Sequence, residues 1–278
     1  MVDVREWSRV DTARLLRVPG VDDDKYSRGV VALRTGSNAY PGAAVLGVEA
    51  AWRAGAGFVR FVGEDRAADA VIARRPETVA ARDVGRTRVD SWVIGSGTDA
   101  AERAAVESAA LSDILSGSVP VVVDAGGLDL APGATAPLVV TPHAGEFARL
   151  REQLALATHG VRDRVADVAE TAHALDCVVL LKGAKTLVAA PDELVISISS
   201  APGWLATAGA GDVLAGVLGA LLAGNPGMSK AQVAAAAAWL HGHAATLASG
   251  AEAGWPGHPI VALDVAEALP AAIEDLLS

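Results

Sequence analysis

Short apolar runs rich in β-branched residues alternate with longer alanine-rich segments along most of the chain. The runs at 29–36 (GVVALRTG), 58–63 (FVRFVG), 91–98 (SWVIGSGT), 119–127 (VPVVVDAGG), 137–146 (PLVVTPHAGE) and 177–183 (CVVLLKG) almost all stop in a turn containing Gly or Pro. Such a continuous run reads as a strand buried on both faces. Segments 42–57, 100–117, 144–156 and 161–175 between them read as helices. Alternation of this kind predicts a parallel sheet covered on both sides. The stretch 185–199 (KTLVAAPDELVISIS) differs, with two short strands about an Ala-Pro-Asp turn, and predicts a hairpin on that sheet. After residue 207 the pattern is helical to the end, with loops at GNPGM and GWPGHP. No repeat, linker or shift of composition divides residues 1–278, so a single domain is expected.

In an open α/β sheet the ligand lies beyond the carboxyl ends of the strands, where loops and helix N-termini converge. The turns at 35–42, 95–98, 124–126, 141–146, 182–186 and 207–212 all fall at such ends and together form the candidate site.

Composition narrows the partners. Hydrophobic residues make up 51% and charged residues 20%, as in a packed globular protein. A net charge of −10 with no basic stripe argues against sequence-independent nucleic-acid binding. The single cysteine, Cys177, lies in an apolar run, so there is no disulfide framework and a reducing compartment is expected. No signal-peptide core opens the chain, and the longest apolar stretch, 213–223, is too short to span a bilayer. The expected location is the cytoplasm. Only four lysines stand against nineteen arginines, and two of them, Lys182 and Lys185, share the pentapeptide KGAKT. Paired ammonium groups in an Arg-rich chain point to a need for flexible point charges.

The turns carry the chemistry. AGAGD (208–212) precedes a helix apolar on nearly every face, so its N-terminus is buried and needs partners for its free amides. Gly209 and Gly211 let backbone amides approach a phosphate or a developing anion closely. Asp212 fits two roles here, helix cap or proton acceptor. Lys182, Lys185 and Thr186 offer two ammonium groups and a hydroxyl to phosphate oxygens, with Gly183 permitting a wrap of backbone. His143 sits past a strand end, as a structural imidazole or a substrate contact, with Glu146 in the following first helical turn, where a carboxylate is favoured anyway. Asp124 serves equally as an N-cap or as a Mg²⁺ holder, through water or a phosphate-bound metal. His241 and His243 are spaced i, i+2 and diverge on a helix, so His241 is a packing residue or a minor contact. Trp204 is the tryptophan placed to touch a ring.

In this order, YPGAA, IGSG, DAGGL, TPHAGE, LLKGAKT and AGAGD resemble the ribokinase-like superfamily. Within it, the chain is similar to the ADP-dependent NAD(P)H-hydrate dehydratases over nearly all its length, from about Lys25 to Leu269. The resemblance implies a three-layer α/β/α fold and an enzyme that uses ADP, or ATP in some relatives, with Mg²⁺. It would restore the S epimer of hydrated NADH or NADPH, releasing AMP and phosphate. By motif, Ala43, Gly97, His143 and Asp212 would contact the hydrate, and Lys182, Gly183, Ala184, Lys185, Thr186, Gly209 and Gly211 the nucleotide. Asp212 would be the catalytic base. The resemblance also implies a homotetramer and, with no epimerase domain in these 278 residues, a separate NAD(P)H-hydrate epimerase as functional partner. The chain departs from the family pattern at Ser96, where the family's GPG turn has proline, at Pro202, where many relatives have Asn, and at Ala208, where Gly is common. A small-molecule kinase of the same superfamily, of hydroxymethylpyrimidine or thiazole kinase type, is the alternative.

Overall fold

A computed structural model describes residues 3–157, 164–191 and 193–278. Ten strands form one sheet: β1 (Val4–Glu6), β2 (Val30–Arg34), β3 (Phe58–Val62), β4 (Val79–Ala81), β5 (Ser91–Ile94), β6 (Val121–Val123), β7 (Leu138–Val140), β8 (Val178–Leu181), β9 (Thr186–Ala189) and β10 (Val195–Ile198). Their order across the sheet is β1-β10-β9-β8-β7-β6-β5-β2-β3-β4. Every neighbouring pair is parallel except the two made by β9, which runs antiparallel to both β8 and β10. The predicted mostly parallel sheet and its hairpin are therefore both present. Asp192, in the hairpin turn, and residues 161–163, at the start of the predicted helix 161–175, lie outside the described residues.

The layers follow from which side chains each strand sends to each face. Strand residues alternate, so Val31, Leu33, Val93 and Val122 enter one apolar cluster while Ala32, Trp92, Ile94, Val121 and Val123 enter the other. The first cluster is closed by α2 (Pro41–Arg53), α3 (Asp65–Arg74), α7 (Ala210–Gly224), α8 (Lys230–Ser249) and α9 (Ala262–Leu277), with α1 (Arg9–Ala13) packed against α8 and α9. The second is closed by α4 (Ala105–Leu115), α5 (Ala144–Gln153) and α6 (Arg164–Leu175). The sheet is thus the middle of three layers.

Helix α7 lies innermost, with buried residues on every face from Val213 to Ala223. It packs so closely on α2 that a Cβ at Gly216 would come 2.2 Å from the carbonyl oxygen of Gly47. Backbone cannot give way as a side chain does, so Gly216→Ala forces the helices apart. The expected cost is about 1–3 kcal/mol, a fall in melting temperature of roughly 3–10 °C by thermal unfolding. An unchanged melting temperature would show that α2 and α7 are not held at this separation.

Four elements lie outside the sequence expectations: β1, α1, α3 and β4. Strand β1 is exposed at all three positions, so no apolar run marks it, and it is ordered by parallel pairing with β10 at the sheet edge. Its neighbour α1 is a five-residue helix set by a Ser8–Asp11 capping box rather than by an apolar stripe. Strand β4 is the opposite edge strand.

Candidate active site

Chain order runs outward from β2 through β3 to β4, then returns across β2 to β5 and continues to β8. The crossing between β2 and β5 is a topological switch point, where the loops leaving neighbouring strands diverge and open a crevice. Two glycine turns meet there. The amide of Gly36, after β2, donates to the carbonyl of Ser96, after β5, at 2.7 Å. Gly97 has φ +67°, and a Cβ on it would lie 2.3 Å from that of Ala43 in the first turn of α2. No other residue type fits both the backbone angle and the space.

Behind these turns lies a buried charge cluster. Asp124, at the end of β6, is 3% exposed. Its Oδ1 accepts from Lys182 Nζ at 2.7 Å and from the Thr141 hydroxyl at 2.8 Å. The Ser96 hydroxyl donates to its Oδ2 at 3.0 Å. Lys182, at the end of β8, is also 3.9 Å from Glu146. Asp212 stands in the first turn of α7, beside this group. Burial and the nearby Asp124 carboxylate push its pKa up to about 6, against the pull of Lys182 and the Ser96 hydroxyl. It is therefore a carboxylate poised near neutrality rather than a strongly acidic one. The helix start it occupies is capped by Gly209, which is left-handed with φ 86° and has no side chain to offer. Of the two roles expected for Asp212, helix cap and proton acceptor, the N-cap position belongs to Gly209.

On the other side of the crevice His143 caps α5. Its Nδ1 accepts from the amides of Gly145 and Glu146 at 3.0 and 3.3 Å, and Glu146 in return accepts from the His143 amide at 2.7 Å. This capping box fixes the imidazole, which remains largely exposed at the crevice mouth.

Two cavities flank the site. One, of about 470 Å³, is lined by His143, Lys182, Gly183, Ala184, Thr186, Ala210 and Gly211, with Ile198, Leu205, Leu214 and Ala238 as an apolar wall. Ala210 and Gly211 bring the start of α7 to its wall, and a helix N-terminus is the arrangement that receives phosphate. The other, of about 660 Å³, extends from Gly97 past Tyr40, Leu128 and Arg149.

A family model described as NAD(P)H-hydrate dehydratase matches residues 31–261. This chain belongs to the NAD(P)H-hydrate dehydratase family. It is 38% identical over 240 residues to the ADP-dependent (S)-NAD(P)H-hydrate dehydratase of Neisseria meningitidis, covering 81% of this chain and 78% of that one. It is 45% identical over 229 residues to the bifunctional NAD(P)H-hydrate repair enzyme of Mycobacterium tuberculosis, covering 80% of this chain. The chain spans about half the length of that bifunctional relative, 46%. The solved ADP/ATP-dependent NAD(P)H-hydrate dehydratase of Bacillus subtilis, co-crystallised with ATP and Mg²⁺, superposes with a TM-score of 0.84 at 25% identity, over 99% of both chains.

Within this dehydratase-family fold, the residues expected in the site divide unevenly. Lys182, Gly183, Ala184, Thr186, Gly211 and His143 line one cavity together, and Gly97 the other. Ala43 sits at the Gly97 turn. Lys185 is exposed on the loop beyond Gly183 and does not line the cavity. Gly209 supports the helix start against Leu46. Trp204, expected to touch a ring, instead donates its indole N–H to the Pro256 carbonyl at 2.7 Å and lines neither cavity. Asp124 was weighed as a Mg²⁺ holder. Its two oxygens face an ammonium and two hydroxyls, and among the described residues no group of three or more His, Cys, Asp or Glu side chains could hold a metal ion. That donor set does not fit a directly bound Mg²⁺.

Other residues matter here although their sequence signal was weak or absent. The Ser96 hydroxyl ties Asp124 beside Asp212. Thr141 precedes the conspicuous His143 and holds the same carboxylate. Arg164 is distant in sequence, and its Nη2 would lie 3.0 Å from a Cβ at Gly183. Only its position at the start of α6, outside any turn motif, explains why sequence did not reveal it. His241, read as packing or a minor contact, is 5% exposed and lines the smaller cavity. Burial drives its pKa down to about 4, so it is neutral, and its Nε2 has no hydrogen-bond partner among the described residues.

Proposed function

We propose that the chain is a hydro-lyase that restores the S epimer of hydrated NADH and NADPH, using ADP and releasing AMP and phosphate. The observation that carries this reading is Asp212, a carboxylate poised near pH 6 that follows directly on Gly211 in the wall of one cavity, with a second cavity lined by Gly97. ADP occupies the smaller cavity, its phosphates against the α7 amides, Lys182 to Thr186 and the exposed ammonium of Lys185, and its base on the apolar wall. The hydrated ring lies by Ala43, Gly97 and His143.

Asp212 accepts the proton of the ring hydroxyl as that oxygen attacks the terminal phosphorus of ADP, and the bond from that phosphorus to the AMP oxygen breaks. The α7 amides and Lys182 stabilise the charge on the transferring group. The ring carbon then bears a phosphate ester in place of a hydroxyl. Electron release from the ring nitrogen expels phosphate, and loss of a proton from the neighbouring carbon restores the reduced nicotinamide. Mg²⁺ would enter on the nucleotide, held by phosphate oxygens and water, and would neutralise phosphate charge. Epimerisation of the R hydrate belongs to an activity outside residues 1–278, separate or fused. Cytoplasmic work as a homotetramer remains part of the proposal. Among the described residues, no helix is long and apolar enough to cross a membrane.

Incubation with S-NADH hydrate and ADP should regenerate the 340 nm absorbance of NADH and produce AMP and phosphate in equal amounts. Absence of that signal with both ADP and ATP would overturn the assignment. Phosphorylation of a small alcohol instead would establish the kinase alternative.

A further inference from the structure

Proton transfer depends on the aim of the accepting carboxylate, and Asp212 has little to hold it. The neighbouring Asp124 is fixed from both sides. Lys182 and the Thr141 hydroxyl donate to its Oδ1 at 2.7 and 2.8 Å, and the Ser96 hydroxyl donates to its Oδ2 at 3.0 Å. Among the described residues the Ser96 hydroxyl is also the one hydrogen-bond partner of the Asp212 carboxylate, and the charged groups that act on Asp212 are Asp124 and Lys182. Lys182 is in turn 3.9 Å from Glu146. A Cβ at Gly211 would lie 3.9 Å from Asp124 Oδ2, so the first turn of α7 comes up to the oxygen that faces Ser96.

Ser96 has a fixed place. It stands between Gly95 and Gly97, both left-handed with φ +92° and +67°. Its carbonyl accepts from the Gly36 amide at 2.7 Å, and the residue is 1% exposed. It lines neither cavity, so any effect it has on the substrate passes through another residue. A hydroxyl has one proton, and an ionised carboxylate only accepts. Asp124 is already served at its other oxygen, so the ionised Asp212 gains most from that proton. Without the hydroxyl, two buried carboxylates would face each other with no donor between them. That disfavours ionisation of the one not paired with Lys182.

We propose that Ser96 is a positioning residue for the reaction: its hydroxyl ties the Asp212 carboxylate to the anchored Asp124–Lys182 pair and so aims it at the proton of the substrate hydroxyl. The role rests on the proposed function for the reaction, and on the buried cluster alone for the hold on Asp212.

Titration of the ligand-free protein separates the two. Aspartate carboxyl carbons labelled with ¹³C are followed by NMR against pH in the wild type, Ser96→Ala, Ser96→Thr and Thr141→Val, with the Asp212 signal assigned through Asp212→Asn. Ser96→Ala should raise the Asp212 midpoint by about one pH unit, the size of one hydrogen bond to a charged group. Ser96→Thr keeps the hydroxyl and should restore most of the wild-type midpoint. Thr141→Val removes a donor from Asp124 but none from Asp212. It should lower the melting temperature as Ser96→Ala does, yet move the midpoint less. With S-NADH hydrate and ADP, Ser96→Ala should lose roughly 10–100-fold in kcat on the alkaline plateau, the scale of a misaimed group. KM for both substrates should stay unchanged, and the acid limb should follow the midpoint. An unshifted or lowered midpoint in Ser96→Ala, an equal shift in Thr141→Val, full turnover on the plateau, or a loss confined to KM overturns the proposal. The expected midpoints in a wild type that dehydrates nothing would sink the proposed function and leave the Ser96 tie standing.

Discussion

Asp212→Asn is expected to reduce dehydration about 10³-fold or more, while raising the melting temperature above pH 7. The first effect follows from the loss of the proton acceptor, worth roughly 10²–10⁴-fold in comparable reactions, with nucleotide affinity retained because the α7 amides are untouched. The second follows from burial. The folded pKa of Asp212, about 6, lies above the roughly 3.9 of a free aspartate. The folded state therefore binds this proton more tightly than the unfolded chain, and stability falls as pH rises from about 4 to about 6. Above that window the ionised carboxylate is held at a cost of about 1–3 kcal/mol. Asn removes the cost, so the stability gain should be fully present at pH 8 and vanish below pH 4. In the wild type the same group should set the acid limb of kcat/KM near pH 6, with activity dropping tenfold per pH unit below it. A variant that keeps its turnover, or a limb near pH 4, would remove Asp212 from the role of base.

Lys182→Met carries the second large effect, and it acts on both stability and chemistry. The Lys182 ammonium is the counter-ion of Asp124, whose side chain is only 4% exposed. Removing it strands a buried carboxylate, which typically costs 3–5 kcal/mol, a fall on the order of 10 °C for a chain of this size. Lys182 also draws the Asp212 pKa downward. Without it the acid limb of any residual activity should move to higher pH, and phosphoryl transfer should slow through loss of a cation at the transferring group. The double variant Lys182→Met, Asp124→Asn removes the stranded charge together with its cause. It should recover most of the stability but not the turnover, which separates the structural role of the pair from the catalytic one. Unfolding temperatures and pH profiles for the two single variants and the double variant test each part.

Much of the fold was legible because parallel strands buried on both faces must be apolar without interruption, and six such runs stood out. The hairpin at 185–199 was legible for the converse reason, since its two short runs flank a turn with no helix between them. Edge strands β1 and β4 were not, because an edge needs no apolar run when its order comes from hydrogen bonds to a neighbour. Candidate residues in the turns at 182–186 and 207–212 converge as expected, through the glycines that permit close backbone approach. Trp204 did not, because an indole N–H takes whatever acceptor the fold brings to it, and here that is the carbonyl of Pro256, 52 residues on. Asp124 had two readings from sequence, N-cap or metal holder, and the fold supplied a third, anchor for Lys182. Nothing local to DAGG could have indicated that, since its partners come from β5, β7 and β8.

Sequence by itself determined the layers, the sheet edge at which the site lies and the residue types gathered there, because periodicity and turn chemistry are local properties. The tertiary structure alone decided the electrostatics. The pKa of Asp212 depends on Asp124, Lys182 and Ser96, brought from three other strand ends into one desolvated cluster. Charges separated by tens of residues interact strongly only when folding removes the water between them, and no linear pattern records that distance.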